Sequence, residues 1–449
     1  MLVGRRLRTL LIVLSLVGAP AVILRVLCVG NSCDANDARA QAAVPFCSLP
    51  VELRRSIAAG FREGRSPDVM AAAEGPSALW TGVQDGVRVP WPGAARGRDD
   101  PVLPDTRVPI VFFGAGVEPG RLPGTVGLDA IAPTLEGVTG IRRDHPEVRT
   151  GEAIEGVTSD AGVPLVVVIA WKGLGTPDLE AKPGAWPFLR RAIRDGAGTL
   201  EAVTGSLPLD PAATLTTIGT GALPSSHGIT GTLVRNDDDA VQRAWSAEGA
   251  GSVIATFADD IDHDSRERAG VAAVLTDPAD RGIVGNGWYL DAGDRDTVTE
   301  LGREQHHSAT TPETIVSADG LGRDDITDVL GIVLDGTVAE VDVETADVVA
   351  TIRDLVPGAT FVVAGTGSLR GSRGTGSGTL ASSVDAALQA PIVEGTAAGG
   401  FFLDRDVLVE RSLTAQQAAD VLGRERSREG KPRFADVYPS FAVAFSRYC

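Results

Sequence analysis

The chain has 449 residues, a formal net charge of −18 at pH 7 and 43% hydrophobic residues. A chain of this length can bury a sizeable core, as one large α/β domain or as two smaller domains. The acidic charge argues against sequence-independent binding of nucleic acid, because binding of the phosphate backbone requires a basic protein surface.

The sequence of the amino terminus predicts that the chain is exported from the cytoplasm. Three arginines within the first eight residues precede an apolar run at residues 9–24. Positive charges in this position hold the amino end in the cytoplasm and send the rest of the chain outward. The run is short for a membrane span, but Arg25 could snorkel and let residues 26–29 extend it. We favour an uncleaved signal-anchor at residues 1–29, with a single pass through the cell membrane.

A cleaved signal peptide is the alternative, and the chain would then be secreted. Ala40-Gln41-Ala42 offers the small residues that signal peptidase accepts, although it lies far from the apolar run. In both cases the bulk of the chain is extracytoplasmic. Residues 30–45 are expected to be a linker, and residues 46–449 a single domain.

Predicted strands and helices alternate along this domain. Continuous apolar runs predict buried strands, and helical spacing with stop signals predicts helices. The expected strands lie at residues 108–113, 165–170, 252–257, 329–334, 360–363 and 440–445, with strand and loop mixed over residues 69–92. The expected helices lie at residues 50–60, 128–135, 187–195, 215–221, 266–275, 345–355 and 414–426. The alternation implies an α/β fold with a doubly wound, mostly parallel sheet covered on both faces.

Two segments have the composition of connections. Residues 150–162 (TGEAIEGVTSDAG) are small, acidic and rich in turn formers, which predicts an internal linker. Residues 368–379 (SLRGSRGTGSGT) predict a flexible Gly/Ser loop.

Four segments resemble the alkaline phosphatase superfamily, especially its phosphodiesterase and nucleotide-pyrophosphatase branch. Residues 165–174 (LVVVIAWKGL) resemble its first strand, which normally ends in Asp-Gly. Residues 220–231 (TGALPSSHGITG) resemble its TG…P…HG turn and are the most specific match. Residues 60–70 (GFREGRSPDVM) and 109–120 resemble the segments before and after its last metal ligand.

The closing segments of that fold here come before its opening segments, so the resemblance implies a circular permutation. Residues 46–153 would match the family's carboxyl-terminal part and residues 164–449 its amino-terminal part, with residues 150–162 as the bridge. The original connection would have run between Cys47 and Cys449. The resemblance therefore implies that these two cysteines form a disulfide, with two unpaired thiols as the alternative.

Members of this superfamily typically hold two divalent metal ions with aspartates and histidines around a Ser or Thr nucleophile. Most of these ligands are missing when the pattern is carried over residue by residue. Lys172 stands at the first-strand aspartate, and Gly365 and Thr366 stand where an Asp-His pair belongs. A cation and two non-ligands would therefore occupy ligand positions.

The nucleophile position falls near Asp210, without a clean alignment. The nearby hydroxyl candidates are Thr214, Thr216 and Thr217. His227, in the family-like turn, is expected to shape a helix start rather than to bind a metal ion.

The expected cleft is lined by Lys172, Asp210, Gly365, Thr366 and His227. Lys172 could act there as a fixed cation for a phosphate or a sulfate. The alternative, which we favour, is a substituted and partly solvated side chain at a dead site. A buried ammonium requires an acidic neighbour, such as Asp210.

Residues 258–265 (ADDIDHDS) form an acidic cluster. Asp259, Asp260, Asp262 and His263 could hold zinc, manganese, calcium or another divalent metal. Their spacing fits no EF-hand, and a solvated acidic loop is the simpler interpretation. We therefore expect no cofactor, with a divalent metal as the alternative.

Three functional hypotheses remain open. The preferred one is a membrane-anchored pseudoenzyme that binds an envelope ligand or a partner protein, because ligands are lost at several separate strands. The second is an active metal-dependent hydrolase of phosphate or sulfate esters with an altered site. The third is a purely structural envelope module without a cleft.

Overall fold

The structure is a computed structural model of the chain. It describes residues 45–74, 80–84, 87–90, 93–94, 106–123, 125–141, 143, 145–158, 162–246, 250–285, 288–289, 297–300, 312–369, 378–426, 429–445 and 449. None of the helices in these ranges combines the length and the apolar character that a membrane crossing requires. The expected signal-anchor at residues 1–29 and the linker up to residue 44 lie outside the described residues.

The described strands are, in chain order, β1 (Val69–Glu74), β2 (Trp80–Gln84), β3 (Val87–Pro90), β4 (Gly93–Ala94), β5 (Arg107–Gly114), β6 (Gly120–Arg121), β7 (Leu165–Trp171), β8 (Ala197–Val203), β9 (Leu233–Arg235), β10 (Val241–Arg243), β11 (Val271–Leu275), β12 (Thr297–Glu300), β13 (Asp328–Leu334), β14 (Thr360–Gly365), β15 (Val393–Ala397), β16 (Gly400–Leu403) and β17 (Phe434–Pro439).

The described helices are α1 (Val51–Ala59), α2 (Ile131–Thr139), α3 (Thr176–Ala181), α4 (Pro187–Asp195), α5 (Pro211–Thr220), α6 (Pro224–His227), α7 (Phe257–Ser265), α8 (Pro312–Asp319), α9 (Val338–Leu355), α10 (Gly378–Leu388), α11 (Arg405–Arg411), α12 (Ala415–Gly423) and α13 (Phe441–Ala444). Short 3-10 helices cover Leu128–Ala130, Pro146–Val148 and Pro278–Ile283.

The main sheet has eight strands in the order β12-β11-β13-β7-β14-β5-β8-β6. Strand β5 runs antiparallel to its neighbours β14 and β8, and the other described pairs of this sheet are parallel. The expectation of an α/β fold with a mostly parallel sheet is confirmed.

Helices cover both faces of this sheet, which is why β7 is a continuous apolar run. Side chains alternate between faces along a strand. Val166 packs in a cluster with Ile218 of α5, while Val167 packs in the opposite cluster with Leu189 of α4 and Val348 of α9. All seven residues of β7 are buried.

A smaller sheet brings together parts of the chain that are distant in sequence. Its order is β15-β16-β1-β17, and β1 runs antiparallel to both β16 and β17. Asp68, just before β1, accepts hydrogen bonds from the buried Arg235 guanidinium (2.7 Å) and from the Leu403 amide (2.9 Å). The amino-terminal and carboxyl-terminal segments therefore share one sheet.

The predicted Cys47–Cys449 disulfide is confirmed. The two Cα atoms are 5.3 Å apart although 402 positions separate the residues in sequence. The bond joins residues near the first and the last described positions of the chain.

Three predicted elements are wrong. Residues 252–257 form no strand, because Thr256 instead opens α7 through a reciprocal cap with Asp259. Within the predicted helix at residues 266–275, Val271–Leu275 forms β11, whose buried place beside β13 overrides the helical propensity of alanine. At residues 440–445 the chain forms the one-turn helix α13, and the preceding segment is the strand β17.

Two other helices begin earlier than predicted, because capping residues set their starts. Asp210 accepts a hydrogen bond from the Ala212 amide, so α5 begins at Pro211 rather than at residue 215. Thr337 and Glu340 form a capping box, so α9 begins at Val338 rather than at residue 345.

We expect the double variant Cys47→Ser/Cys449→Ser to be destabilised by about 3–5 kcal/mol, because the disulfide restrains a very long loop in the unfolded chain. Urea unfolding of the oxidised wild type against this variant measures the difference. Reductant should lower the midpoint of the wild type and leave that of the variant unchanged. Equal midpoints for the two oxidised proteins would contradict the structural role of the bond.

Candidate functional site

The carboxyl ends of the parallel strands meet at one edge of the main sheet. Strand β7 ends there before Lys172, β11 before Thr276, and β14 at Gly365. Strand β8 has the same direction, because β5 runs antiparallel to both β8 and β14. Ligands of open α/β sheets usually bind at this edge, so it is the candidate site.

The Lys172 ammonium is held by an acidic partner at this edge. Its Nζ lies 2.6 and 2.7 Å from the two carboxylate oxygens of Asp280 and 3.2 Å from the Thr276 hydroxyl. The Thr276 hydroxyl also donates to Asp280 at 2.7 Å. Burial raises the pKa of the Asp280 carboxyl, and the Lys172 ammonium opposes that shift. The expected acidic neighbour exists, but it is Asp280 rather than Asp210.

The Asp210 carboxylate binds backbone amides instead of the Lys172 ammonium. Its carboxylate accepts hydrogen bonds from the amides of Ala212 and Thr232, both at 2.9 Å, and from the Thr232 hydroxyl at 3.0 Å. Burial raises the pKa of Asp210, whereas these hydrogen bonds and the charge of Lys172 lower it. Asp210 is therefore a helix cap within the electrostatic field of Lys172.

The three candidate nucleophiles lie inside α5 and are at most 1% exposed. Thr214 donates its hydroxyl hydrogen bond to the Asp210 carbonyl at 3.1 Å. Thr216 donates to the Ala212 carbonyl at 2.8 Å, and Thr217 to the Ala213 carbonyl at 3.1 Å. Buried threonines in helices commonly satisfy their hydroxyls in this way, and here the carbonyls of the preceding turn accept all three.

His227 lies in the core at the end of α6 rather than at the expected helix start. Its Nδ1 accepts from the Ile229 amide at 3.0 Å, so Nε2 carries the proton and donates to the Thr217 hydroxyl at 3.1 Å. Burial lowers the pKa of His227 to about 3, and the nearby Arg62 and Arg65 add to that shift. The imidazole is therefore neutral at pH 7.

Close backbone packing leaves no room for a side chain at Gly365. A Cβ atom there would lie 2.5 Å from the Leu174 carbonyl oxygen and 2.9 Å from Cδ of Pro109. The next residue, Thr366, accepts a hydrogen bond from the Gly173 amide at 2.8 Å. Gly365 and Thr366 thus secure the turn that follows β7.

The acidic cluster is a helix rather than a solvated loop. Asp259 is a cap whose carboxylate accepts the Thr256 amide at 2.7 Å and the Trp288 amide at 3.1 Å. Asp262, on the same helix, accepts a hydrogen bond from Ser265 through its carbonyl. His263 stacks on Tyr289 with the ring centroids 4.0 Å apart.

Asp260 binds a pair of arginines that no local sequence pattern indicates. Its Oδ2 lies 2.6 Å from Arg149 Nη2 and 2.9 Å from Arg143 Nε. Both arginines also donate to the Thr220 carbonyl, at 2.9 and 3.2 Å, where α5 ends. Cations are favourable at the carboxyl end of a helix. The cluster therefore anchors α5 to α7.

Thr276 and Asp280 were not predicted as site residues either. The local sequence indicates only part of their role. The Asp-Pro start of the segment 277–280 indicates a capped helix beginning. Nothing local shows that Asp280 meets Lys172, which is 108 positions away. Across the described residues, no three His, Cys, Asp or Glu side chains are grouped so that they could hold a metal ion.

The chain matches no protein-family model, no curated protein and no solved structure. The likeness to the alkaline phosphatase superfamily therefore rests on the sequence segments named above.

We expect Lys172→Met to be destabilising by about 3–5 kcal/mol, because it leaves the Asp280 carboxylate buried without a counter-charge. The double variant Lys172→Met/Asp280→Leu should recover most of that loss, since both charges are then removed. Urea unfolding measures both variants. As a control, Arg194→Ala removes an exposed ion pair and should change stability by less than about 0.5 kcal/mol. A Lys172 variant as stable as this control would contradict the buried pair.

His227 should make the fold sensitive to acid. The unfolded chain binds a proton at this residue below about pH 6.5, whereas the folded chain resists it down to about pH 3. Stability should therefore fall by about 1.4 kcal/mol per pH unit as the pH drops through this window. Unfolding measured at a series of pH values should show a shallower slope for His227→Asn. The exposed control His145→Asn should keep the wild-type slope, and an unchanged slope in His227→Asn would contradict the assignment.

Proposed function

We propose that the chain is a non-catalytic, extracytoplasmic binding protein built on a circularly permuted alkaline-phosphatase-like scaffold. It is held at the cell membrane by residues 1–29 and binds an envelope ligand or a partner protein. The observation that carries this proposal is the Lys172–Asp280 ion pair. An ammonium occupies the strand end at which the family-like pattern requires a metal-binding carboxylate.

The other residues that the family-like pattern assigns to the site support the same proposal. The hydroxyls of Thr214, Thr216 and Thr217 are buried and bonded to helix carbonyls. Gly365 has no space for a ligand side chain. A metal-activated nucleophile requires an accessible alcohol beside a set of hard ligands, and these residues offer neither.

The disulfide supports the permutation. Cys47 and Cys449 join the two ends at which the original connection would have run. Strand β1, from the first of the two segments, lies between β16 and β17 of the second. The two segments thus form one folded unit. This is expected if a circular permutation moved the chain termini of a single ancestral domain to a new position.

The proposal predicts that a metal site can be restored. Wild-type protein should carry no stoichiometric zinc, manganese or calcium, and should hydrolyse neither phosphodiesters nor sulfate esters. Lys172→Asp replaces the ammonium with a carboxylate beside Asp280, and we expect each of these metals to raise its melting temperature. A metal present at 100 times its dissociation constant stabilises by about 2.7 kcal/mol. Elemental analysis, thermal unfolding and an ester screen make these measurements.

The matched control is Lys172→Asn, which removes the ammonium without adding a carboxylate and should show no stabilisation by metals. Stoichiometric metal in the wild type, together with turnover that a chelator abolishes, would replace the proposal with the hydrolase alternative. A Lys172→Asp variant that metals do not stabilise would show that Lys172 does not stand at a former metal position.

A further inference from the structure

The disulfide lies where a reductant in solution can reach it. Cys449 is exposed and Cys47 is half-buried, and the bond between them spans 402 positions of sequence. Thiol–disulfide exchange requires that an incoming thiolate approaches one of the two sulfur atoms. Because exposed disulfides meet this requirement in the folded state, they are the ones that reductants attack and that regulate proteins.

Residues 45–49, which contain Cys47, are bound to strand β17, and we call them the amino-terminal strap. The Asp436 carboxylate of β17 accepts hydrogen bonds from the Phe46 amide at 2.7 Å and from the Ser48 hydroxyl at 2.6 Å. The Phe46 ring is fully buried. It packs edge to face on the ring of Tyr438, also on β17, with the centroids 4.9 Å apart.

The closed strap costs free energy at two points. Phe46 has a φ angle of 76°, in the left-handed region that bulky L residues rarely adopt. The Tyr438 hydroxyl is fully buried, and it has no hydrogen-bond partner in the described part of the chain. A buried hydroxyl of this kind has lost the bonds that it makes with water. Moving the strap away from β17 would relieve the strain at Phe46 and let water reach Tyr438.

The disulfide opposes this opening, because it ties the strap to a helix that is fixed to the core. Cys449 follows α13, whose Ala442 and Val443 are buried in the same apolar cluster as Leu53 of α1. The bond therefore restrains Cys47 near β17 and reduces the entropy cost of closing the strap. Once the bond is broken, that cost opposes the closed strap in full. Helix α1 keeps its own buried face, so the opening stays local.

We propose that the Cys47–Cys449 disulfide is a redox-controlled latch, which a dithiol reductant opens in the folded protein so that the strap leaves β17 and uncovers Tyr438. The first thiolate of the reductant attacks Sγ of Cys449, the more exposed residue, and Cys47 leaves as a thiolate that takes up a proton. The second thiol of the reductant loses its proton and displaces Cys449. The reductant becomes a disulfide, and the protein gains two thiols. The latch is independent of the role proposed for Lys172 and of the membrane anchor.

The test compares hydrogen exchange of the full chain, without denaturant, before and after treatment with dithiothreitol. The Phe46 amide is bonded to Asp436, and the Leu49 amide donates to the Phe46 carbonyl at 3.2 Å, so the closed strap protects both amides. We expect the strap to exchange at least about tenfold faster in the reduced protein. Strand β7, which is buried in the main sheet, should change by less than about twofold.

Two variants separate the disulfide from the other contacts of the strap. The double variant Cys47→Ser/Cys449→Ser should exchange at the fast rate with or without dithiothreitol. The matched control Asp436→Asn keeps the disulfide, and its oxidised strap should stay protected. As a second measurement, N-acetylimidazole should acetylate the Tyr438 hydroxyl in the double variant but not in the oxidised wild type.

Alkylation with iodoacetamide, followed by mass spectrometry, counts the thiols that dithiothreitol releases. No new thiols in the folded protein, or new thiols without faster exchange of the strap, overturn the proposal. Faster exchange of β7 also overturns it, because the whole fold then opens. An open strap in oxidised Asp436→Asn would make the carboxylate the latch, and a Tyr438 that is not acetylated in the double variant would show that it stays covered. Both results overturn the proposal, and neither bears on metal binding by Lys172→Asp.

Discussion

The buried Lys172–Asp280 pair is the constraint on which the candidate site depends. Removing an ammonium and a carboxylate from water is costly unless they meet in good geometry. Here both carboxylate oxygens contact Nζ, and the Thr276 hydroxyl bonds to each partner. The pair joins the end of β7 to the 3-10 helix Pro278–Ile283, across the intervening strand β13.

Two glycines make that geometry possible. A Cβ atom at Gly282 would lie 2.0 Å from the Thr216 hydroxyl oxygen, and one at Gly219 would lie 2.1 Å from the Gly282 carbonyl oxygen. Helix α5 and the 3-10 helix can approach this closely only because both positions lack a side chain. The close approach fixes Asp280 in place against Lys172, and it also buries the threonines of α5. The ion pair and the inaccessible hydroxyls are therefore consequences of one packing arrangement.

The sequence predicts the central strands because they are buried on both faces. The runs in β5, β7, β13 and β14 are apolar for this reason, and each lies within a residue or two of its expected place. The errors occur where local pattern and tertiary context compete. Residues 271–275 contain alanine and valine, which suit a helix or a strand. Only their position next to β13 determines that they form a strand. In the two segments wrongly predicted as strands, Phe257 packs in a cluster with Ile218 of α5, and Ala442 and Val443 pack in a cluster with Leu53 of α1.

The site was less predictable than the fold, because its partners are distant in sequence. Lys172 could be identified from the resemblance of its strand, and the need for an acidic partner followed from burial alone. The choice of Asp280 over Asp210 depends on the three-dimensional course of the chain. Likewise, Asp260 belongs to an acidic run in the sequence, but the fold pairs it with Arg143 and Arg149.

A catalytic site usually costs stability, because its polar groups must stay accessible and unsatisfied by the protein itself. The residues carried over from the family-like pattern show the opposite arrangement. The carboxylate of Asp210 caps a helix, the imidazole of His227 bonds Thr217 and the Ile229 amide, and the ammonium of Lys172 neutralises Asp280. Each of these groups contributes to the fold through an internal partner.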